Sequence, residues 1–270
     1  MVSRMSHEVA TSAGDPFAAS SRVANATGLG PLRHVEVTGS TNADLVAEAR
    51  NGNFGPAVLV ADHQSAGRGR LGREWDDEPG NALLVSIRVP ATHHSVGGVV
   101  AAAGAAARLA ADQLTTSTVL TKWPNDLVVQ DGAAPGKLGG VLAEYVAEPH
   151  ESVVVGVGIN VAAIERQPGA TSMVQCGMVQ RGSLADRDLL LSGLLSALAP
   201  RLADPVSVLG ELRGNSATLG TRVRVELPGN RIVHGEAVGL SDEGRLVLRC
   251  NDATSLTIAA GDVIHLRPAT

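Results

Sequence analysis

Arg68, Arg70 and Arg73 alternate with Gly67, Gly69 and Gly72 in the stretch QSAGRGRLGREW, residues 64–75. Guanidinium forks suit phosphate and carboxylate oxygens, and glycine amides can form an anion-binding concavity. The glycines also spell G-x-G-x-x-G, the spacing of a dinucleotide-binding turn. That turn needs a helix to begin at its last glycine, so that a pyrophosphate rests on the helix N-terminus. Here REWDDEPGN follows Gly72, and Pro79-Gly80-Asn81 punctuates a turn instead. The dinucleotide reading fails on context. A phosphate loop at GAAPGKL fails too, because Leu138 stands where a hydroxyl is needed and Gly132 is one residue too close. No H-E-x-x-H or similar metal signature occurs, and no metal ligand set is assigned.

What remains is a loop that presents cations. Ordering about ten residues costs roughly 1–2 kcal/mol each in backbone entropy, and three charged hydrogen bonds return roughly 1.5–3 kcal/mol each. These sums are of the same order, so the loop is expected to be mobile when empty and to close over an anionic ligand. Leu71 and Trp75 are expected to add apolar burial.

These groups need a scaffold. HVEVTGSTNADLVAEARNG reads as strand, turn and helix, with Ser40 or Thr41 as N-cap and Asp44 in the first turn. AVLVAD and NALLVSIRVP read as buried strands on either side of the loop, and an Ala-rich helix follows at about 98–114. TVLTKW and LVVQ flank the turn Trp123-Pro124-Asn125-Asp126. KLGGVLAEYV and SVVVGVGINV continue the meander, and a helix at about 184–204 with Ser183 as its cap closes it. The prediction is an α+β domain with a mixed, largely antiparallel sheet. Beyond a boundary near 212–217 the texture changes: TRVRVEL, RIVHGEAVGL, GRLVLRC and SLTIAAGDVIHLR alternate at short intervals, which predicts a small β-barrel. The expected organisation is a flexible tail over 1–30, a main domain over 31–214 and the small β-domain over 215–270.

The composition narrows the function. The chain has 270 residues, 44% hydrophobic and 18% charged, the balance of a soluble globular protein. A net charge of −5 gives bulk electrostatics no part in holding DNA or an anionic membrane. The longest apolar run carries Arg108 and Asp112, so it reads as a buried helix rather than a membrane span. Two cysteines offer neither a disulfide framework nor a C-x-x-C pair, and no apolar signal segment opens the chain, so a cytoplasmic setting is expected.

Taken together, GSTNADL, HQSAGRGRLGREW, KWPNDLVV, GKLGGVLAE and GVGINV stand in the order seen in biotin–protein ligases. The resemblance covers about residues 34–161 by motif and extends to the C-terminus by the small β-domain. It is to the ligases without a DNA-binding repressor module, since no helix-turn-helix domain is recognisable. It implies a class II synthetase-like catalytic domain with an SH3-like C-terminal barrel. It also implies a two-step reaction: biotin and magnesium-ATP give biotinyl-5′-AMP, and biotin then passes to a lysine of the carrier domain of an acyl-CoA carboxylase.

By the same resemblance, Ser40, Thr41 and Asn42 meet the ureido ring, and Gln64, Arg68, Gly69 and Arg70 form the biotin and adenylate loop. Arg68 is expected near phosphate and carboxylate, Arg73 supports it, and Trp75 stacks on adenine. Lys137 contacts the reacting carboxylate and α-phosphate, and Gly139 and Gly140 let ligand approach the strand. Lys122, Asn125 and Asn160 lie on the nucleotide side. Asp126 either assists deprotonation of the acceptor lysine or helps a magnesium ion. A lipoate or octanoate ligase of the same fold is the nearest rival, and it would need an apolar tunnel instead of a ureido pocket. A ligand-sensing regulator is opposed by the acidic charge. An exposed strand edge could pair two copies as a weak homodimer.

Overall fold

The computed structural model describes residues 15–91, 95–132, 134–164, 168–178, 183–227, 229–250, 254–259 and 261–265. The chain enters through α1 (Ala18–Ala26), β1 (Leu32–Thr38), α2 (Thr41–Arg50) and β2 (Ala57–Gln64). β1 and β2 pair in parallel, with α2 as the crossover. After the glycine–arginine loop come β3 (Ala82–Pro90), α3 (Val96–Asp112), β4 (Val119–Lys122), β5 (Asp126–Val129), β6 (Gly136–Val146) and β7 (Ser152–Asn160). These build one seven-stranded sheet in the order β1-β2-β3-β7-β6-β5-β4, antiparallel at every pairing but the first. The sheet is thus mixed and largely antiparallel, as the tight turns between its later strands predict.

Valine-rich β3 and β7 are buried on both faces because helices cover the sheet's centre. α3 and α4 (Leu184–Ala203) lie on one face and share a core with Val85, Ile87, Val155 and Val157. With only two phenylalanines in the chain, this core depends on small side chains, and Ala103, Ala106 and Ala110 of α3 let the layers approach closely. α2 covers the other face with Leu45, Val46 and Ala49. Ser183 caps α4 in a reciprocal capping box with Asp186. No helix among the described residues is long and apolar enough to cross a membrane.

The expectation of a flexible tail over 1–30 needs correction where it can be seen. Residues 15–30 are ordered around α1: Phe17 is fully buried and stacks 5.2 Å from the His34 ring. The carboxylate of Asp188 on α4 accepts from the Ala19 and Ser20 amides at 3.1 and 2.9 Å. An Ser- and Ala-rich composition resembles a disordered segment, but one buried aromatic and a cap supplied from another helix fix it. Residues 1–14 lie outside the described residues.

α5 (Pro205–Gly214) leads into β8 (Arg222–Leu227), β9 (Arg231–Leu240), β10 (Leu246–Cys250), β11 (Ser255–Ile258) and β12 (Asp262–His265). Their sheet has the order β11-β10-β9-β8-β12, with Val223, Val225, Ala237, Leu246 and Leu248 pointing inward. The predicted small β-barrel is found as a curled antiparallel sheet of SH3-like type, not closed among the described residues. Its edges are β11 and β12, each four residues long.

Candidate active site

Two strands lack side chains where the cavity lies. A Cβ on Gly156 of β7 would come 2.5 Å from Asn42 Oδ1, and one on Gly158 would come 2.8 Å from the Trp75 ring. Glycine is needed at both because other elements lay their side chains directly on the strand. Gly140 of β6 opens the same way, toward Asp126 and the Lys137 stem at 3.5 and 3.7 Å. Gly139 does not: a Cβ there would strike the Gly158 carbonyl at 2.4 Å, so this glycine serves strand packing rather than ligand approach.

The start of α2 supplies the neutral polar groups. Ser40 caps the helix, and Thr41 and Asn42 are buried behind it. The Thr41 amide donates to Gln64 Oε1 at 2.8 Å, and Thr41 Oγ1 lies 2.7 Å from Ser86 Oγ. Ser86 in turn donates to Asn42 Oδ1 at 2.6 Å. Asn42 Nδ2 then donates to the Leu142 carbonyl and to Glu144 Oε1. Ser86 and Glu144 therefore belong to the site, although neither is singled out in the sequence. Ser86 had one visible signal, a hydroxyl within the apolar run from Ala82 to Ile87.

The loop folds back on itself as a small hairpin. Trp75 N–H donates to the Gly67 carbonyl at 2.9 Å, and Gly69 N–H donates to that of Arg73 at 2.7 Å. Leu71 at the tip has φ 57° and is 71% exposed with no ligand present. Arg68 donates to Glu144 Oε1 at 2.9 Å, the same oxygen that Asn42 uses, and Arg70 donates to Asn125 Oδ1 at 3.2 Å. Burial lowers the pKa of the Arg70 guanidinium from its ordinary value, against the opposing pull of Asp126.

Lys137 Nζ stands 2.8 Å from Asp126 Oδ1. The turn carrying Asp126 is bolted down: Asn125 Nδ2 donates to the Val141 carbonyl at 2.8 Å and Val141 N–H returns to the Asn125 carbonyl. Behind it, Trp123 N–H donates to Thr218 Oγ1 and Trp123 Nε1–H to the Gly244 carbonyl, both at 3.1 Å, so the small domain holds the turn from outside.

These groups line one cavity of about 400 Å³, which gathers Ser40, Thr41, Asn42, Gln64, Arg68, Gly69, Arg70, Arg73, Trp75, Lys122, Asn125, Asp126, Lys137 and Gly140. Ser86, Gly156, Gly158 and, from the small domain, Glu226 and Val263 complete its wall. Asn160 is not brought there. Its amide is buried and donates to the Thr171 and Lys137 carbonyls at 3.0 and 3.5 Å, which makes it a clamp under the strand that carries Lys137. Among the described residues no three histidine, cysteine, aspartate or glutamate side chains gather as a metal site.

Residues 36–160 match the profile of the biotin/lipoate A/B protein ligase family, and residues 218–266 match the biotin protein ligase C-terminal domain. The chain is 41% identical over 247 residues to the biotin–[acetyl-CoA-carboxylase] ligase of Mycobacterium tuberculosis, covering 86% of this chain and 88% of that one. It is 32% identical over 231 residues to the ligase of that name from Paracoccus denitrificans, covering 78% and 91%. The biotin protein ligase of Aquifex aeolicus, solved in complex with biotin and ATP, superposes with a TM-score of 0.70 at 25% identity over 87% of this chain and 98% of that one. With both of its domains matched by profile and 41% identity along most of the Mycobacterium tuberculosis ligase, the chain belongs to the biotin protein ligase family.

Proposed function

We propose that this ligase binds biotin and ATP side by side in the cavity and biotinylates a lysine on the carrier domain of an acyl-CoA carboxylase. The observation that carries the reading is the division of one cavity into a neutral polar part and a cationic part. Thr41, Asn42, Gln64 and Ser86 offer paired donors and acceptors suited to the N–H and C=O groups of a ureido ring. Lys137, Arg68, Arg70 and Lys122 offer positive charge for a carboxylate and a phosphate. A lipoyl or octanoyl chain would make no use of the donors and acceptors this group has left, which favours biotin.

In the first step a biotin carboxylate oxygen attacks the α-phosphorus, and the bond to pyrophosphate breaks. Negative charge on the transferring phosphoryl group is met by Lys137, whose ammonium Asp126 holds in place. Trp75 packs its ring against Gly158 and would provide the adenine platform. In the second step the carrier lysine, as the free amine, attacks the activated carbonyl, the carbonyl–oxygen bond to AMP breaks, and the amine proton is lost to solvent. Magnesium would arrive on the triphosphate, as this ion commonly does with few protein ligands. Of the cavity's carboxylates, Asp126 is the one paired with Lys137, and the reaction is assigned to the cytoplasm.

The test combines the chain with magnesium-ATP, a biotin-acceptor domain and either biotin or lipoate, and weighs the acceptor by intact mass spectrometry. A biotin-sized gain on the acceptor lysine is expected. A lipoyl gain instead would overturn the reading of the polar group.

A further inference from the structure

Asp77 is a buried carboxylate that the reaction does not use. Its side chain is 2% exposed although Asp76, Glu78 and Pro79 around it face solvent. One oxygen lies 3.0 Å from His63 Nδ1, and the other is buried without a hydrogen-bond partner. Neither residue lines the cavity. Their places in the chain are telling: His63 directly precedes Gln64, where the loop departs, and Asp77 follows two residues after Trp75, where it returns.

The two limbs are held unequally. Gln64 pairs with Thr38 in the sheet and accepts from Thr41, so the outgoing limb is fixed without help. The returning limb has the Trp75–Gly67 bond, the contact with Gly158 and then the His63–Asp77 pair. We infer that His63 and Asp77 form a clasp at the loop's base that positions Trp75 for the nucleotide while leaving recognition of the ureido ring to α2 and the strands it packs on. This rests on the proposed role of Trp75. Burial pushes the Asp77 carboxyl up from its ordinary value, so the group is an awkward one to bury for packing alone. Both residues are positioning residues, acting through the chain rather than on substrate.

His63→Phe keeps a ring of similar size and removes the shared proton, whereas His63→Asn keeps a donor near the Nδ1 position. Trypsin cleavage after the loop arginines reads the clasp with no ligand present. In His63→Phe this cleavage is expected to be about tenfold faster, and the KM for ATP about tenfold higher, with the KM for biotin raised by no more than about twofold. His63→Asn is expected to restore both. A wild-type cleavage rate in His63→Phe overturns the clasp, as does an equal rise in both KM values that His63→Asn fails to repair. Trp75→Ala separates the two claims: if it leaves the KM for ATP unchanged, the adenine platform itself is wrong, whatever the cleavage rate shows.

Discussion

The cavity has one wall that is built in and one that is laid on. The turn from Lys122 to Asp126 is bonded to β6 on one side and to the small domain on the other, through Asn125, Val141, Trp123 and Gly244. Beyond Ala66 the glycine–arginine loop closes on itself through the Gly67–Trp75 and Gly69–Arg73 bonds. Side-chain ties from it to the body include Gln64 to Thr41, Arg68 to Glu144 and Arg70 to Asn125, with the pair His63–Asp77 at its base. The difference follows the chemistry. A cation that must meet developing charge gains from a fixed place, because no reorganisation is then needed during reaction. A wall over the ligand must open to admit it and close to exclude water.

Substitutions that break one wall and spare the other sharpen this contrast. The largest effect is expected from Lys137→Ala, which should slow adenylate formation about 100- to 1000-fold, the scale of one lost transition-state donor. Near-normal pyrophosphate release by that variant would remove the lysine from the mechanism. Trp123→Phe takes one bolt from the fixed wall and should lower the unfolding free energy by about 1 kcal/mol, read from denaturant melts. On the laid wall, the Arg68–Glu144 pair is half exposed, so Arg68→Ala should change global stability by under about 1 kcal/mol. It should instead raise protease cleavage within residues 64–75, with biotin and ATP together restoring protection. Equal cleavage with and without ligand would count against closure.

The smallest effect concerns Asp77. An acid whose pKa is raised by folding holds its proton more tightly in the folded chain than in the unfolded one. Stability is therefore lost as pH climbs from about 4, the unfolded value, through the raised folded value. Asp77→Asn removes this loss, so its melting temperature should change less between pH 4 and pH 7 than that of the parent chain.

Much of the scaffold was legible because its signals are local. Ser40 before TNADL, Ser183 before LADRD and the valine runs of β2, β3 and β7 specify cap, helix and buried strand from neighbours alone. The same holds for loop chemistry: the arginines and Lys137 do line one cavity. What escaped depends on contacts distant in sequence. α1 takes its cap from Asp188, and a run of serines and alanines gives no sign of it. Ser86 and Glu144 became site residues because strand register places them beside Asn42. Asn160 failed for the opposite reason: at the end of β7 its side chain turns to two carbonyls under the sheet, and spacing along a strand does not reveal which neighbour an amide will find.

The bare positions on β7 limit how the pocket can change. A methyl group added at Gly156 would contribute nothing to a ligand, since it would first evict Asn42, and at Gly158 it would evict Trp75. The strand is thus a mould whose recesses are already filled from elsewhere. A chain under selection for a larger or differently shaped acid gains no room by altering the mould, and must change what fills it. Selectivity for the acid is therefore expected to drift through α2, and selectivity for the nucleotide through the loop, two routes that meet at the Glu144 oxygen shared by Asn42 and Arg68.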